Sequence, residues 1–171
     1  MTQLFLLLAF GFVQNPSLEN AKITFEVTHM GVLKVEGKFD ELTGEIRQVG
    51  DNEWRISGEA DVRSVDTNND SRDETILTEQ YLDADNFPVI PFEARLVRKG
   101  ALFSITIELE LRGIGFQLTG ELQEEDSILA SLPITFKRSD IGLDFGLMDA
   151  LIGDEITLVI DSGIQISELN W

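Results

Sequence analysis

The chain has no cysteine, one histidine and one tyrosine among its 171 residues. Without cysteine there is no disulfide, no thiolate nucleophile, no cysteine-built zinc site and no lipidation cysteine of a bacterial lipoprotein. The single histidine, His29, excludes a multi-histidine metal centre. Basic residues are also scarce, with 13 Lys and Arg against 31 Asp and Glu and a formal charge of −18. Such a chain is repelled by nucleic acid and by anionic membrane surfaces, so nucleic acid is not an expected partner. The apolar run Leu4 to Val13 is about half the length a membrane-crossing helix needs, so no integral span is expected. What is present is 43% hydrophobic residues, enough for one packed domain that buries about two-thirds of its unfolded surface without staples.

The run Leu4 to Val13 reads LFLLLAFGFV and fits the apolar core of a secretory leader. Residues 1–21 are therefore expected to act as a signal peptide, leaving 22–171 as a periplasmic or secreted domain. No Lys or Arg precedes the run, and no small-x-small site follows it before Lys22. A buried first strand is the alternative, but the run lacks the period-two pattern of a half-buried antiparallel strand.

From Lys22 onward the alternation is repeated. Ile23, Phe25 and Val27 share one face, opposite Thr24, Glu26 and Thr28. Trp54, Ile56, Ala60 and Val62 alternate with polar residues, and Gly58 falls in the inward phase, where it predicts a bend or bulge. Phe103, Ile105, Ile107, Leu109 and Leu111 alternate with polar partners throughout. Phe116, Leu118 and Leu122 follow after a turn at Gly113 to Gly115, which predicts a hairpin. Shorter strands are expected at Phe92 to Val97, Leu132 to Phe136 and Glu155 to Ile160.

One segment reads as a helix. Ser71 and Glu74 have the spacing of a capping box, Ile76 and Leu77 begin an apolar stripe, and Pro88 bars continuation. A second helical turn is expected within Leu147 to Ile152. About eight strands with one or two short helices, and no alternation of strand and helix, predict an all-β fold, an antiparallel barrel or sandwich.

Catalytic signatures are sparse. Asp66-Thr67-Asn68-Asn69-Asp70 puts oxygen ligands at the first, third and fifth positions of a calcium loop, but Ser71 replaces the required Gly and Leu77 the bidentate acid. A turn leading into a capped helix is the simpler reading, and no metal is assigned. His29 is in phase with its strand's apolar face, and no nucleophile and base accompany it. Arg72 with Asp73 and Arg138 with Asp140 suit either a pocket for a polar head or structural ion pairs. Nothing singles out a carboxylate pair for glycoside hydrolysis.

Several ordered motifs carry a family resemblance. Ser71 to Pro88, SRDETILTEQYLDADNFP, combines Arg-Asp, an aromatic-aspartate segment and an aromatic-Pro step. Ile23 to Ile46 includes a His-hydrophobic-Gly step and a Gly-x-Phe step. Val65-Asp66-Thr67-Asn68 and Phe136-Lys137-Arg138-Ser139-Asp140-Ile141-Gly142 complete the set. Together they resemble the YceI-like family over most of the chain after residue 22. The segment departs from the family pattern at Thr75, where members commonly carry His.

The resemblance implies an extended lipocalin-like antiparallel barrel that holds a polyisoprenoid or another long-chain amphiphile in an apolar tunnel, without catalysis or cofactor. The expected tunnel residues are Phe25, Val27, Trp54, Ile56, Tyr81, Phe87, Phe92, Phe103, Ile105, Ile107 and Phe136. His29, Arg72 and Arg138 are expected at the mouth, beside the head group. A homodimer is compatible with this reading. The rival reading is a barrel with a packed interior that serves a structural or protein-interaction role.

Overall fold

The computed structural model describes residues 18, 21–125, 128–129, 131–161, 163–164 and 169. The expected leader, residues 1–21, lies outside the described residues except at Leu18 and Ala21. Eleven strands and one α-helix, α1 (Asp70–Ile76), are described. The strands are β1 (Lys22–His29), β2 (Leu33–Phe39), β3 (Leu42–Gly50), β4 (Glu53–Asp61), β5 (Val65–Asp66), β6 (Val89–Lys99), β7 (Leu102–Leu111), β8 (Ile114–Glu125), β9 (Ile128–Leu129), β10 (Leu132–Lys137) and β11 (Ile152–Asp161). They form two antiparallel sheets, ordered β10-β11-β1-β2-β5 and β3-β4-β6-β7-β8-β9.

The sheets face each other as a barrel-like pair. Among the described residues no ladder joins them into a closed ring. On one side β8 and β10 approach within 8 Å at their Cα atoms. On the other, Asp40 and Glu41 carry the chain from β2 directly into β3.

Alternation puts the apolar phase of each strand between the sheets. Along β7, Phe103, Ile105 and Ile107 are buried, while Glu108 and Glu110 are exposed. Its hairpin with β8 closes through Arg112 and Gly113, at φ +53° and +74°, with Leu111 paired to Ile114. These are the left-handed angles of a two-residue turn, so the turn lies one residue earlier than the glycines alone suggested.

No bulge occurs at Gly58. Its register runs unshifted through Gly44 on one side and Phe92 on the other. A side chain there would meet the Thr43 carbonyl oxygen and, at 2.7 Å, the Phe92 ring. The glycine serves close approach, with the neighbouring ring using the space.

Helix α1 is capped by Asn69 rather than Ser71. Asn69 is extended at φ −157°, and its side chain accepts the Arg72 N–H at 3.0 Å. Ser71 therefore lies inside the first turn, and its carbonyl accepts the Thr75 hydroxyl at 2.8 Å. The expected second helical turn is a 3-10 turn at Gly146–Met148, and Ile152 already belongs to β11. The calcium-like segment is the turn into α1. The Asp66 carboxylate accepts the Asn68 N–H at 2.7 Å and pairs with Lys38 at 3.3 Å, bonds that hold its pKa below the usual carboxylate value.

Gly37 shows how one missing side chain shapes the interior. It is paired with Phe25, whose ring lies over it, and an added Cβ would collide with that ring and with Thr67 Cγ2 at 2.8 Å. Gly37→Val is expected to destabilise the fold by about 1 to 3 kcal/mol through overpacking. Urea unfolding checks this, and a change below about 0.5 kcal/mol would show that the Phe25 ring is free to swing away.

Candidate functional site

The inward faces of the two sheets enclose a cavity of about 590 Å³, within the roughly 300–1,000 Å³ typical of small-molecule sites. Small inward residues at Ala60 and Ala94 help keep it open, since each lines the wall where a larger side chain would reach across. Leu18 also lines it, and its N–H lies 3.4 Å from the Gly44 carbonyl, so packing reaches back ahead of Lys22.

Nearly all of the lining is apolar. The polar exceptions are Thr28 and His29 at the end of β1, Asn69, Ser71, Arg72 and Thr75 on and beside α1, and Tyr81 beyond it. Polarity is thus confined to the end of one strand and the helical segment. The result is a long greasy wall with one polar rim, the complement of a molecule with a long tail and a compact head.

Eight of the eleven expected tunnel residues line this cavity: Phe25, Val27, Ile56, Tyr81, Phe92, Ile105, Ile107 and Phe136. Trp54 and Phe103 do not. Each is one inward position beyond a lining residue, Ile56 on β4 and Ile105 on β7, and their rings pack together at 6.2 Å between centroids. Both are almost fully buried with Leu96 and Leu122, so they fill one end of the barrel instead of lining the lumen. Phe87 lies outside as well, with its ring 3.2 Å from where a Cβ on Gly113 would stand.

At the rim, His29 and Arg72 both face the cavity. The Arg72 guanidinium is held by Thr67: Nε donates to the hydroxyl at 2.8 Å and Nη2 to the carbonyl at 2.6 Å. Thr67 in turn donates its hydroxyl and its N–H to Asp73 at 2.5 and 3.0 Å. The Val-Asp-Thr and Arg-Asp motifs therefore interlock, fixing Arg72 from behind. Its Nη1 and the His29 ring make no hydrogen bond among the described residues.

Arg138 is not at the rim. It is 5% exposed and does not line the cavity. Its guanidinium donates to the carbonyls of Leu143, Asp149, Ile152 and Gly153, and to the Asp149 carboxylate at 2.6 Å. The reason lies in β11, whose register against β1 shifts between Val27 and His29, leaving extra residues around Gly153 outside the ladder. Arg138 takes up the Gly153 carbonyl that this bulge leaves outside the ladder, together with carbonyls of the preceding loop and of the strand's first residue. It also stacks 5.1 Å from the centre of the Phe145 ring, a lining residue.

The rest of the Arg-Ser-Asp motif is structural too. Ser139 gives its N–H and hydroxyl to Asp154, and those bonds lower the Asp154 pKa. The Asp149 pKa is lowered first by the Phe145 N–H and further by Arg138. Asp140 takes no part in the Arg138 network.

Leu109, Leu111 and Phe116, which alternation puts in the inward phase but which are not among the expected tunnel residues, also line the cavity, as does Ala94. Sequence reasoning missed Phe145, which reaches Tyr81 at 5.3 Å from a loop with no periodic signal.

The profile of the YceI-like domain matches residues 15–163. A UPF0312 protein of Vibrio parahaemolyticus is 26% identical over 61% of this chain and 57% of its own length. The chain thus spans little over half of that relative. A UPF0312 protein of Shewanella denitrificans is 28% identical over 83% of this chain and 81% of its own. Among solved structures, BcnA of Burkholderia cenocepacia superposes with a TM-score of 0.69 at 16% identity, covering 84% of this chain and 95% of its own. A polyisoprenoid binding domain from Saccharophagus degradans gives 0.64 at 17% identity, covering 84% and 94%. The YCEI protein of Campylobacter jejuni gives 0.62 at 19% identity, covering 94% and 96%. At these identities the structural likeness establishes a shared fold.

Proposed function

Because the chain belongs to the YceI-like domain family, we propose that it binds and carries a polyisoprenoid or similar long-chain amphiphile, with the tail in the cavity and the head at the rim. The observation that carries this reading is the distribution of polarity along the lining: apolar throughout, and polar only at Thr28, His29 and the α1 segment with Tyr81. Each methylene moved from water into such a wall contributes about 0.8 kcal/mol, so a ten-carbon tail gains roughly 8 kcal/mol before the costs of association. Affinity of that kind needs no catalytic residue. The Saccharophagus neighbour, named as a polyisoprenoid binding domain, supports the same ligand class.

His29 and Arg72 are the proposed head-group contacts, an imidazole and a half-engaged guanidinium. Thr75, which takes the place of the family's usual His, offers only a hydroxyl already given to the Ser71 carbonyl, so an imidazole contact to the head group falls to His29. Export to the periplasm belongs to this proposal and is supported by the Leu4 to Val13 run.

The test is mass spectrometry of an organic extract of the protein purified from its native host without detergent, against an equally acidic control. A stoichiometric prenyl or long-chain species is expected. An extract that stays free of lipid after incubation with host membranes would overturn the reading in favour of a protein-interaction role.

A further inference from the structure

We infer that the β1–β2 hairpin tip and the adjacent 146–148 turn form a docking surface for an uncharged or zwitterionic lipid bilayer, through which the cavity is loaded. The inference rests on the lipid-carrying reading of the cavity. Two segments run from the cavity wall directly to exposed apolar side chains. In the first, His29 lines the cavity, and Met30, Val32 and Leu33 just beyond it are 58%, 81% and 57% exposed. In the second, Phe145 lines the cavity and Leu147 is 95% exposed.

The fold sets these segments side by side. Met30 donates its N–H to the Leu151 carbonyl at 2.6 Å, and His29 is paired with Ile152. Three large exposed apolar side chains thus stand on the tip, and a fourth, Leu147, on the segment that leads into Leu151. No charged residue lies from Met30 to Leu33, in a chain where 26% of residues are charged. The first charge beyond the tip, Lys34, is paired with Glu26 at 2.7 Å.

Backbone geometry makes the tip more unusual. Met30 and Gly31 have φ of +53° and +73°, the pair of left-handed angles that Asn-Gly or Asp-Gly adopts most readily. Methionine offers no local hydrogen bond to offset that conformation. The tip therefore combines an unfavourable backbone with unfavourable exposure, and insertion among acyl chains relieves the exposure.

The occupant follows from charge and size. At −18 the molecule is repelled by anionic surfaces. Four side chains fall well short of the roughly 800 Å² per partner that a stable protein interface buries. A neutral bilayer surface needs neither charge nor large area, and it is where a prenyl amphiphile resides. Docked there, the rim lets the tail pass from bilayer to cavity without crossing water.

The experiment uses the full chain and a double variant, Val32→Asp with Leu147→Asp, both exposed and both away from the lining. Three readouts are taken: co-sedimentation with phosphatidylcholine vesicles, transfer of a fluorescent long-chain isoprenoid alcohol from those vesicles, and equilibrium uptake of the same alcohol added from ethanol. The wild-type protein is expected to sediment with phosphatidylcholine and less with phosphatidylglycerol vesicles. The variant should lose at least about tenfold in sedimentation and transfer, with uptake from ethanol unchanged. A variant that sediments and accepts cargo like wild type, or a wild-type protein that ignores phosphatidylcholine, would overturn the inference. Failure of uptake from ethanol, with sedimentation intact, overturns the cavity reading and the loading step while supporting the docking surface.

Discussion

Ile107→Trp is expected to abolish uptake of a long-chain isoprenoid alcohol while leaving the protein folded. Ile107 is buried on β7, lines the cavity, and is paired with Ala94 of β6, whose small side chain also faces it. The indole thus extends over a methyl group into the lumen. It occupies the path of three or four methylenes, at about 0.8 kcal/mol each, so affinity should fall about fifty- to two-hundredfold. In a filled core the same change costs about 1 to 3 kcal/mol through overpacking. Here the loss should stay below about 1 kcal/mol by urea unfolding, because the ring enters open space. Ala94→Phe approaches the same point from the neighbouring strand and should act alike. Wild-type uptake in both variants, or a large stability loss in both, would show that the lumen at this depth is not the ligand's path.

The contrast between Ile107 and Trp54 shows how far alternation carries a reading. Period two along β4 and β7 assigns Trp54, Ile56, Phe103, Ile105 and Ile107 to one side, and all five are buried. It cannot say where along the barrel each residue stands, because depth depends on the stagger between strands, which long-range pairing sets. Trp54 and Phe103 therefore read as lining but plug one end. The rim was legible in part. His29 follows the phase of β1, and Arg72 follows from the Arg-Asp motif, yet their convergence depends on how β5 docks on β2 through Phe39 and Lys38. Asn69 and Ser71 lacked even that signal. A capping pattern marks where a helix starts, and here it misplaced the cap; it carries no information on what the helix faces.

Arg138→Met is expected to be the most damaging single substitution away from the lumen, costing about 3 to 5 kcal/mol, the range for removing one partner of a buried charged network. The side chain of Arg138 satisfies four carbonyls and one carboxylate. Without it the carbonyls of Leu143, Ile152 and Gly153 lose the guanidinium as a partner, each at about 1 to 3 kcal/mol unless water reaches it. Asp149 would retain the Phe145 N–H but lose its cation. Lysine should rescue little, because a single ammonium cannot span acceptors arranged around a planar fork. The damage should also reach the ligand, since Leu143 and Phe145 are both anchored near Arg138 and both line the cavity. Urea unfolding supplies the magnitude, and hydrogen exchange the place: amides of residues 138–154 should lose protection before those of β6 and β7. A variant within about 1 kcal/mol of wild type, with exchange unchanged in that segment, would mean that water replaces the guanidinium and that Arg138 serves some purpose other than holding this loop.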